Sequence, residues 1–556
     1  MRRTMIGLLL LGQVGLATAQ VANPPRQRHG MVVAVSPVGA DVGREILLRG
    51  GNAVDAAVAT ALAMAVTYPS AGNLGGGGFM VIHPAPGRGE PMVVDYRETA
   101  PAAASRTMFT KKDTWYTHKA SGVPGTVAGL YLAHQKFGKL PWATVVTPAV
   151  KLAESGFAID AQLAGSLNWI VNSFQVTPEL RRVLGKDGGQ GDWKEGDRLV
   201  QPDLARTLRR VADRGPDGFY RGETAELIER EMKSGGGLIT RDDLARYQAR
   251  FRRPIHGTYR GFDVYAPPPP SSGGVCLIEM LNILENFDLK KQGRFSPVTL
   301  HLMAEAMRRA YCDRARHLGD QDFVKIPAHL TSKEYGRKLA QGIDLNRATR
   351  SEEIARDIPL LGEGDSTTHF SVVDNDGMAV SNTYTLERSY GSRIVVRGAG
   401  FLLNNEMIDF NWFPGETNRE GRIGTEANQI LPGKRMLSSQ TPTVVAREGK
   451  VVLVTGSPGS RTIINTVLNV VVNVIDFEME PQKAVDAPRL HHQWFPDELY
   501  FEGSYDHPEA VERLRALGHR VQCTSQGDAH TIYIDPKTKT IHGAADRRIN
   551  GKAAGF

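Results

Sequence analysis

The sequence predicts an α+β fold in which antiparallel sheets are stacked and covered by helices. Three observations carry this reading. Helix-like and strand-like runs come in alternating blocks that lack the strand–helix–strand period of a parallel sheet. The run after Asn52 in "GGNAVDAAVATALAMAVTYP" is apolar nearly all round, so its helix is buried. From Thr367 on, strands dominate, starting with a hairpin whose turn is Asp374-Asn375-Asp376-Gly377.

Taken in order, the chain opens with "MRRTMIGLLLLGQVGLATAQ", which has the three parts of a secretory signal. Arg2 and Arg3 form the basic start, Met5 to Leu16 the apolar run, and Ala17-Thr18-Ala19 the cleavage site before Gln20. The run is short for a membrane span, and no later stretch is long and apolar enough for one. The expectation is therefore an exported, soluble protein, periplasmic or secreted. Two helices follow a polar leader; Gly50-Gly51 stops the first and Asn52 caps the second. "GGGGFMVIHPAP" and "EPMVVDYRE" read as short strands, and the stretch from about Ala128 to Tyr247 as mainly helical. "YAPPPPSSGGV" is a rigid helix-free loop, and "PVTLHLMAEAMRRAYCDRARHLGD" returns to helix. Lys333 to Leu361 is charged and increasingly loop-like. Beyond the hairpin come the strand "VVLVTGSPG", a helix over Asn465 to Ile475 and a terminal hairpin in "HTIYIDPKTKTIHGAAD".

A length of 556 residues allows one large domain or two to three ordinary ones, and 41% hydrophobic residues supply a core. Cys276, Cys312 and Cys523 permit one bridge at most, so disulfides do not hold this fold together. The net charge of +7 falls to +5 without Arg2 and Arg3. It is scattered, with no basic run interleaved with aromatics, which argues against nucleic-acid binding and fits an anionic substrate.

The pair Thr367-Thr368 heads a strand directly behind the polar loop Gly362 to Ser366. Threonine is a good strand former, and that alone accounts for most such pairs. A helix cap is excluded by the strand pattern that follows. The third reading is a nucleophile exposed by chain cleavage. A threonine hydroxyl needs a base, and a free α-amine on the same residue, with a pKa of about 7.7–8.0, can serve. Spacing alone leaves these alternatives open.

Other motifs decide between them. "TTHFSVVDNDGMAVSNTYTL", "GFLLNNEMIDF", "KRMLSSQTPT" and "TGSPGS" occur in the order and spacing seen in γ-glutamyltranspeptidases (glutathione hydrolases). Upstream, "GGNAVDAAVATALAMAV", "NLGGGGFM", "DYRETAP", "SGVPGTVAG" and "PPPPSSGG" extend the resemblance from about Met31 to Gly555. It implies an N-terminal-nucleophile hydrolase, an αββα sandwich of two stacked, mainly antiparallel sheets flanked by helices. The precursor would lose residues 1–19 and cleave itself before Thr367. A large subunit, 20–366, and a small one, 367–556, would remain intertwined.

The resemblance also assigns roles. Thr367 is the nucleophile and Thr385 the threonine that hydrogen-bonds it. Gly459 and Ser460 present the backbone N–H groups of an oxyanion hole, Ser460 standing where the family usually has a second glycine. Arg97 matches the clamp for a γ-glutamyl α-carboxylate, helped by the hydroxyls of Ser438 and Ser439. Glu406 and Asp409 match the acceptors for the α-ammonium, and Glu387 occupies a position where many members have asparagine. Three carboxylates around one ammonium repel unless one is protonated or paired with Arg97. Between Asp409 and Ser438 lies a segment as long as the family's lid loop, with Trp412 and Phe413 early but no aromatic in its middle. That favours hydrolysis over transfer.

The expected substrate is a small γ-glutamyl compound such as glutathione, with water or an amino acid or peptide as acceptor. No cofactor or metal is implied. His491-His492 lacks a third ligand at a recognisable spacing, Gly75 to Gly78 suits close backbone packing, and His301, Glu305, Asp313 and His317 read as core or surface pairs. Cys312 has no catalytic partner in the sequence. Two alternatives differ in class: a cephalosporin (glutaryl) acylase of the same fold, and an uncleaved exported solute-binding protein.

Overall fold

A computed structural model describes residues 26–355, 367–419 and 424–556. The signal-like segment and Ser366 lie outside the described residues. Among them, no helix is long and apolar enough to cross a membrane.

Two seven-stranded antiparallel sheets form the centre. The first runs Lys552–Gly555, Met31–Ala34, Thr368–Val373, Ala379–Thr385, Gly77–His83, Met92–Asp95, Arg250–Arg252. The second runs Arg26–Gln27, Ile541–Ala545, His530–Ile534, Lys450–Thr455, Thr443–Arg447, Phe262–Ala266, Ile255–Tyr259. In both, strands from before and after Thr367 lie side by side, so neither part of the chain makes a sheet alone.

Side chains of a strand alternate between its faces, and the strands here are apolar on both. Val32 and Ala34 point to a helical core, whereas Met31 and Val33 point into the layer between the sheets. Met80 and Ile82 divide from Phe79 and Val81 in the same way. In the second sheet Val444 and Val454 face inward, and Val445 and Leu453 face the opposite helices. The result is four layers, helix–sheet–sheet–helix. Helix Ala53–Thr67 is buried along its whole length and starts at a capping box between Asn52 and Asp55, as its sequence requires. Helices Gly273–Leu284, Pro297–His317 and Thr462–Ile475 cover the other side.

Three features depart from the sequence reading. Strands Arg250–Arg252, Ile255–Tyr259 and Phe262–Ala266 were not anticipated: the first two end their sheets and mix exposed polar residues with few apolar ones, and the third is a five-residue run interrupted by Asp263. Lys333–Gln341 is a helix, capped by Ser332, inside the stretch expected to be loop-like. The helix after the proline run begins at Gly273, inside "SSGGV"; a Cβ there would lie 2.4 Å from Thr441 Oγ1. The cysteines are unbridged.

Candidate active site

The hairpin register pairs Thr368 with Tyr384, which sets Thr367 abreast of Thr385 at the edge of the described strand. Thr367 is buried, and its Oγ1 donates to Thr385 Oγ1 at 3.3 Å. That is long for hydroxyls, as expected before a substrate tightens the site. Thr385 Oγ1 also accepts from Glu387 N at 2.8 Å. Close backbone packing holds this corner, as the glycine run suggested: a Cβ on Gly76 would sit 1.9 Å from the Thr385 carbonyl oxygen.

His369 is the imidazole nearest to Thr367 in sequence, but it is fully buried and both nitrogens are engaged. Nδ1 meets Thr383 Oγ1 at 2.8 Å and Nε2 meets Ser371 Oγ at 3.0 Å. Burial pushes its pKa well below the ordinary histidine value, so it is poorly suited to act as a base.

The turn expected to hold an oxyanion extends from the same end of the sheets. His369 lies against Gly456, where a Cβ would meet its ring at 2.3 Å, and the chain continues from there to Gly459 and Ser460. Thr462 N and Ile463 N bond the carbonyls of Gly459 and Ser460, which pins the turn from its carbonyl side. Gly459 has φ +122° and Ser460 φ +50°, so the serine adopts the left-handed conformation that glycine tolerates best.

Arg97 stands at the centre of the charged groups. Its Nη1 lies 2.5 Å from Glu406 Oε2, its Nη2 pairs with Asp409, and its Nε donates to the Met436 carbonyl at 3.3 Å. The expected carboxylate clamp is thus bound to the expected ammonium acceptors. Glu406 and Asp409 share a single 3₁₀ turn, Glu406–Asp409, in which residues three apart superpose. One oxygen from each of Glu387, Glu406 and Asp409 lies within 4.8 Å of the others.

Glu98, which the sequence reading passed over, is buried beside Arg97 Nη1 at 3.5 Å. Burial pushes Glu98 up to about 8, against the pull of Arg97. Burial also raises Glu406, with Glu98, Glu387 and Asp409 reinforcing the shift. Four carboxylates and one guanidinium form an acidic cluster that favours a proton or an added cation.

Ser438 and Ser439 are buried and both hydroxyl oxygens accept hydrogen bonds. Gln440 N donates to Ser438 Oγ and Arg314 Nη2 to Ser439 Oγ, each at 3.1 Å. Asn73, in "NLGGGG", is a second residue missed in the sequence; its side chain reaches the Thr385 carbonyl. The signal for Glu98 and Asn73 was their place inside motifs already singled out, and for Arg314 a charge on a helix whose other residues are mostly buried.

The remaining candidates fall outside this cluster. His491 and His492 are buried, bonded to Asn465 and Gln493 and to Arg308 and Asp497 respectively. His301, Glu305 and His519 lie close enough to share an ion. However, the two imidazoles bond each other at 2.8 Å, and Glu305 is ion-paired with Arg308 and Arg309. Trp412 stacks on Phe109, ring centroids 3.7 Å apart, and is buried.

A family model described as gamma-glutamyltranspeptidase matches residues 39–556. The chain is 45% identical over 579 aligned positions to the glutathione hydrolase proenzyme of Escherichia coli (strain K12), spanning 100% of this chain and 99% of that one. It is 36% identical over 545 positions to the Acylase ACY 1 proenzyme of Pseudomonas sp. (strain SE83), spanning 95% and 94%. Among solved structures, the cephalosporin acylase from Bacillus halodurans aligns over 99% of each chain with a TM-score of 0.86 and 25% identity. The αββα layers are the N-terminal-nucleophile architecture that the resemblance implied.

Proposed function

Since the chain belongs to the gamma-glutamyltranspeptidase family, we propose that it is a self-cleaving γ-glutamyl hydrolase and transferase with Thr367 as nucleophile. In the precursor, Thr367 Oγ1 attacks the carbonyl of Ser366, and the peptide bond gives way to an ester. Water hydrolyses the ester, leaving a carboxylate on Ser366 and an α-amine on Thr367. The subunits are then 20–366 and 367–556, after export and loss of residues 1–19.

In the mature enzyme the new amine takes the Oγ1 proton, and the oxygen attacks the γ-carbonyl of the donor. Backbone N–H groups of Gly459 and Ser460 receive the oxyanion. The leaving amine departs with the proton, and water or an acceptor amine resolves the γ-glutamyl–threonine ester. Thr385 orients the nucleophile throughout.

One observation carries this reading: a buried threonine hydroxyl bonded to Thr385, near a buried cluster whose guanidinium and carboxylates offer opposite charges for the two ends of an amino acid. Arg97, Ser438 and Ser439 receive the α-carboxylate. Glu387, Glu406 and Asp409 receive the α-ammonium, which replaces Arg97 as partner for part of their charge.

The likeness to acylases favours a second reading, a glutaryl amide donor, which has the carboxylate but no ammonium. Three converging acids support γ-glutamyl instead, since Arg97 is a single cation among them and Glu98, and a glutaryl group adds a further carboxylate with no ammonium.

The test is mass spectrometry of purified protein, followed by product analysis. Fragments meeting between Ser366 and Thr367, with glutamate released from glutathione, support the proposal. One intact chain supports the binding protein, and faster cleavage of glutaryl amides supports the acylase.

A further inference from the structure

The Ser438–Ser439 loop is braced from behind by a buried cation. Arg314, on helix Pro297–His317, is 7% exposed. Its Nη2 donates to Ser439 Oγ at 3.1 Å and its Nε to Ser272 Oγ at 2.9 Å. Ser272 passes its own proton to the Ser438 carbonyl at 2.6 Å, and its N–H reaches the same oxygen at 2.8 Å. Three residues earlier on the same helical face, Tyr311 donates its hydroxyl to the carbonyl of Arg461, the neighbour of Ser460. One face of the helix therefore supports both the serine loop and the oxyanion turn.

A guanidinium has donors and no acceptor. Ser439 cannot return its proton to Arg314, so that proton is available to a ligand. The arrangement Nη2–H to Oγ–H to carboxylate is a chain in which each bond polarises the next.

We infer that Arg314 is a positioning residue that sets specificity for the carboxylate end of the acyl donor. It aims the Ser439 hydroxyl, fixes Ser438 through Ser272, and places positive charge behind both without touching the substrate. The inference rests on the γ-glutamyl reading of the site. A purely structural Arg314 would affect all donors alike; a positioning one discriminates among them.

The experiment compares three p-nitroanilides that differ only at the head group. L-γ-Glutamyl carries carboxylate and ammonium, glutaryl the carboxylate alone, and 4-aminobutanoyl the ammonium alone. Parent, Arg314→Met, Arg314→Lys and Ser272→Ala are assayed as cleaved enzyme. Arg314→Met is expected to raise KM about tenfold for the two carboxylate-bearing donors, the loss of a charge-assisted hydrogen bond, with kcat within about threefold. The 4-aminobutanoyl donor is expected to change less than about twofold, so the preference for γ-glutamyl over it falls about fivefold or more. Arg314→Lys regains part of the preference. If Arg314→Met yields no folded protein, Ser272→Ala carries the test, with the same preference falling about threefold.

An unchanged preference in an active variant, or a parallel loss on all three donors, overturns the inference and leaves the function standing. A parent that cleaves none of the three overturns both.

Discussion

Asn73 donates its Nδ2 to the carbonyl oxygen of Thr385, 2.9 Å away, from a buried amide whose other bonds are also made. Nδ2 reaches the Ala71 carbonyl as well, while Oδ1 accepts from Gly76 N and Thr126 Oγ1. The amide thereby fixes the strand end that presents the Thr385 hydroxyl to Thr367. Asn73→Ala leaves buried groups unpaired and is expected to cost about 2 kcal/mol. Because the affected corner holds the proposed nucleophile, cleavage before Thr367 is expected to slow about tenfold or more. Denaturant unfolding and a time course on denaturing gels check the two effects. Wild-type cleavage kinetics in a destabilised variant would show that Asn73 supports the fold alone.

Ser460 tests whether the oxyanion turn acts through its backbone. At φ +50° a serine side chain costs about 1 kcal/mol relative to glycine. Ser460→Gly should relieve that cost and keep the N–H, giving kcat within about threefold of the parent and equal or higher stability. Ser460→Pro removes the donor and cannot adopt a positive φ. Its kcat is expected to fall about a hundredfold or more. Rates from both variants, normalised to cleaved enzyme, give the answer. A Ser460→Gly enzyme as poor as Ser460→Pro would point to the serine hydroxyl instead.

Much of this site was legible because its residues lie in short contiguous motifs. "NNEMID" gave both acids, "LSSQ" both hydroxyls and "GSPGS" the turn, and the hairpin turn at Gly377 fixed the register that brings Thr367 to Thr385. What the sequence did not disclose are contacts between distant segments. The bond from Arg314 to Ser439 spans 125 positions and that from Asn73 to Thr385 spans 312. Nor could spacing reveal that Arg97 is ion-paired with Glu406 and Asp409 instead of standing apart from them, since that depends on how the segments pack. The edge strands Arg250–Arg252 and Ile255–Tyr259 escaped notice because half-exposed strands carry a weak apolar alternation.

The placement of Trp412 bears on the fate of the acyl group. It packs against Phe109 in a small core with Met407, Phe410 and Met436. It is thus committed to the base of the segment and not extended over Thr367, the proposed nucleophile, and the residues from Pro414 to Leu431 include no aromatic. Water should reach the acyl-enzyme readily. With a dipeptide acceptor at physiological pH and modest acceptor concentration, the ratio of transfer to hydrolysis is expected to stay below about one, water being the more abundant nucleophile. Separating the two products by chromatography measures it directly. A ratio well above one would mean that another group shields the ester.

Glu387 connects the acid cluster to pH. It is buried, has φ +76°, and its charge raises Glu406 further above the ordinary carboxylate range, after burial itself. In the proposed binding mode the donor's ammonium meets the ionised cluster, so protonation competes with it and KM should rise as pH falls. Glu98, held near 8 by burial, places part of this change around neutrality. Glu387→Gln removes one negative neighbour, so Glu406 ionises at lower pH, and the rise in KM is displaced to lower pH. The maximal kcat should stay within about threefold, because Glu387 acts on binding and not on the attacking oxygen. The check is KM and kcat for a γ-glutamyl anilide from pH 5.5 to 9 in parent and variant. Superimposable curves would remove Glu387 from the substrate pocket, while a shift to higher pH would mean that its charge stabilises ionised Glu406, the reverse of the geometry described above.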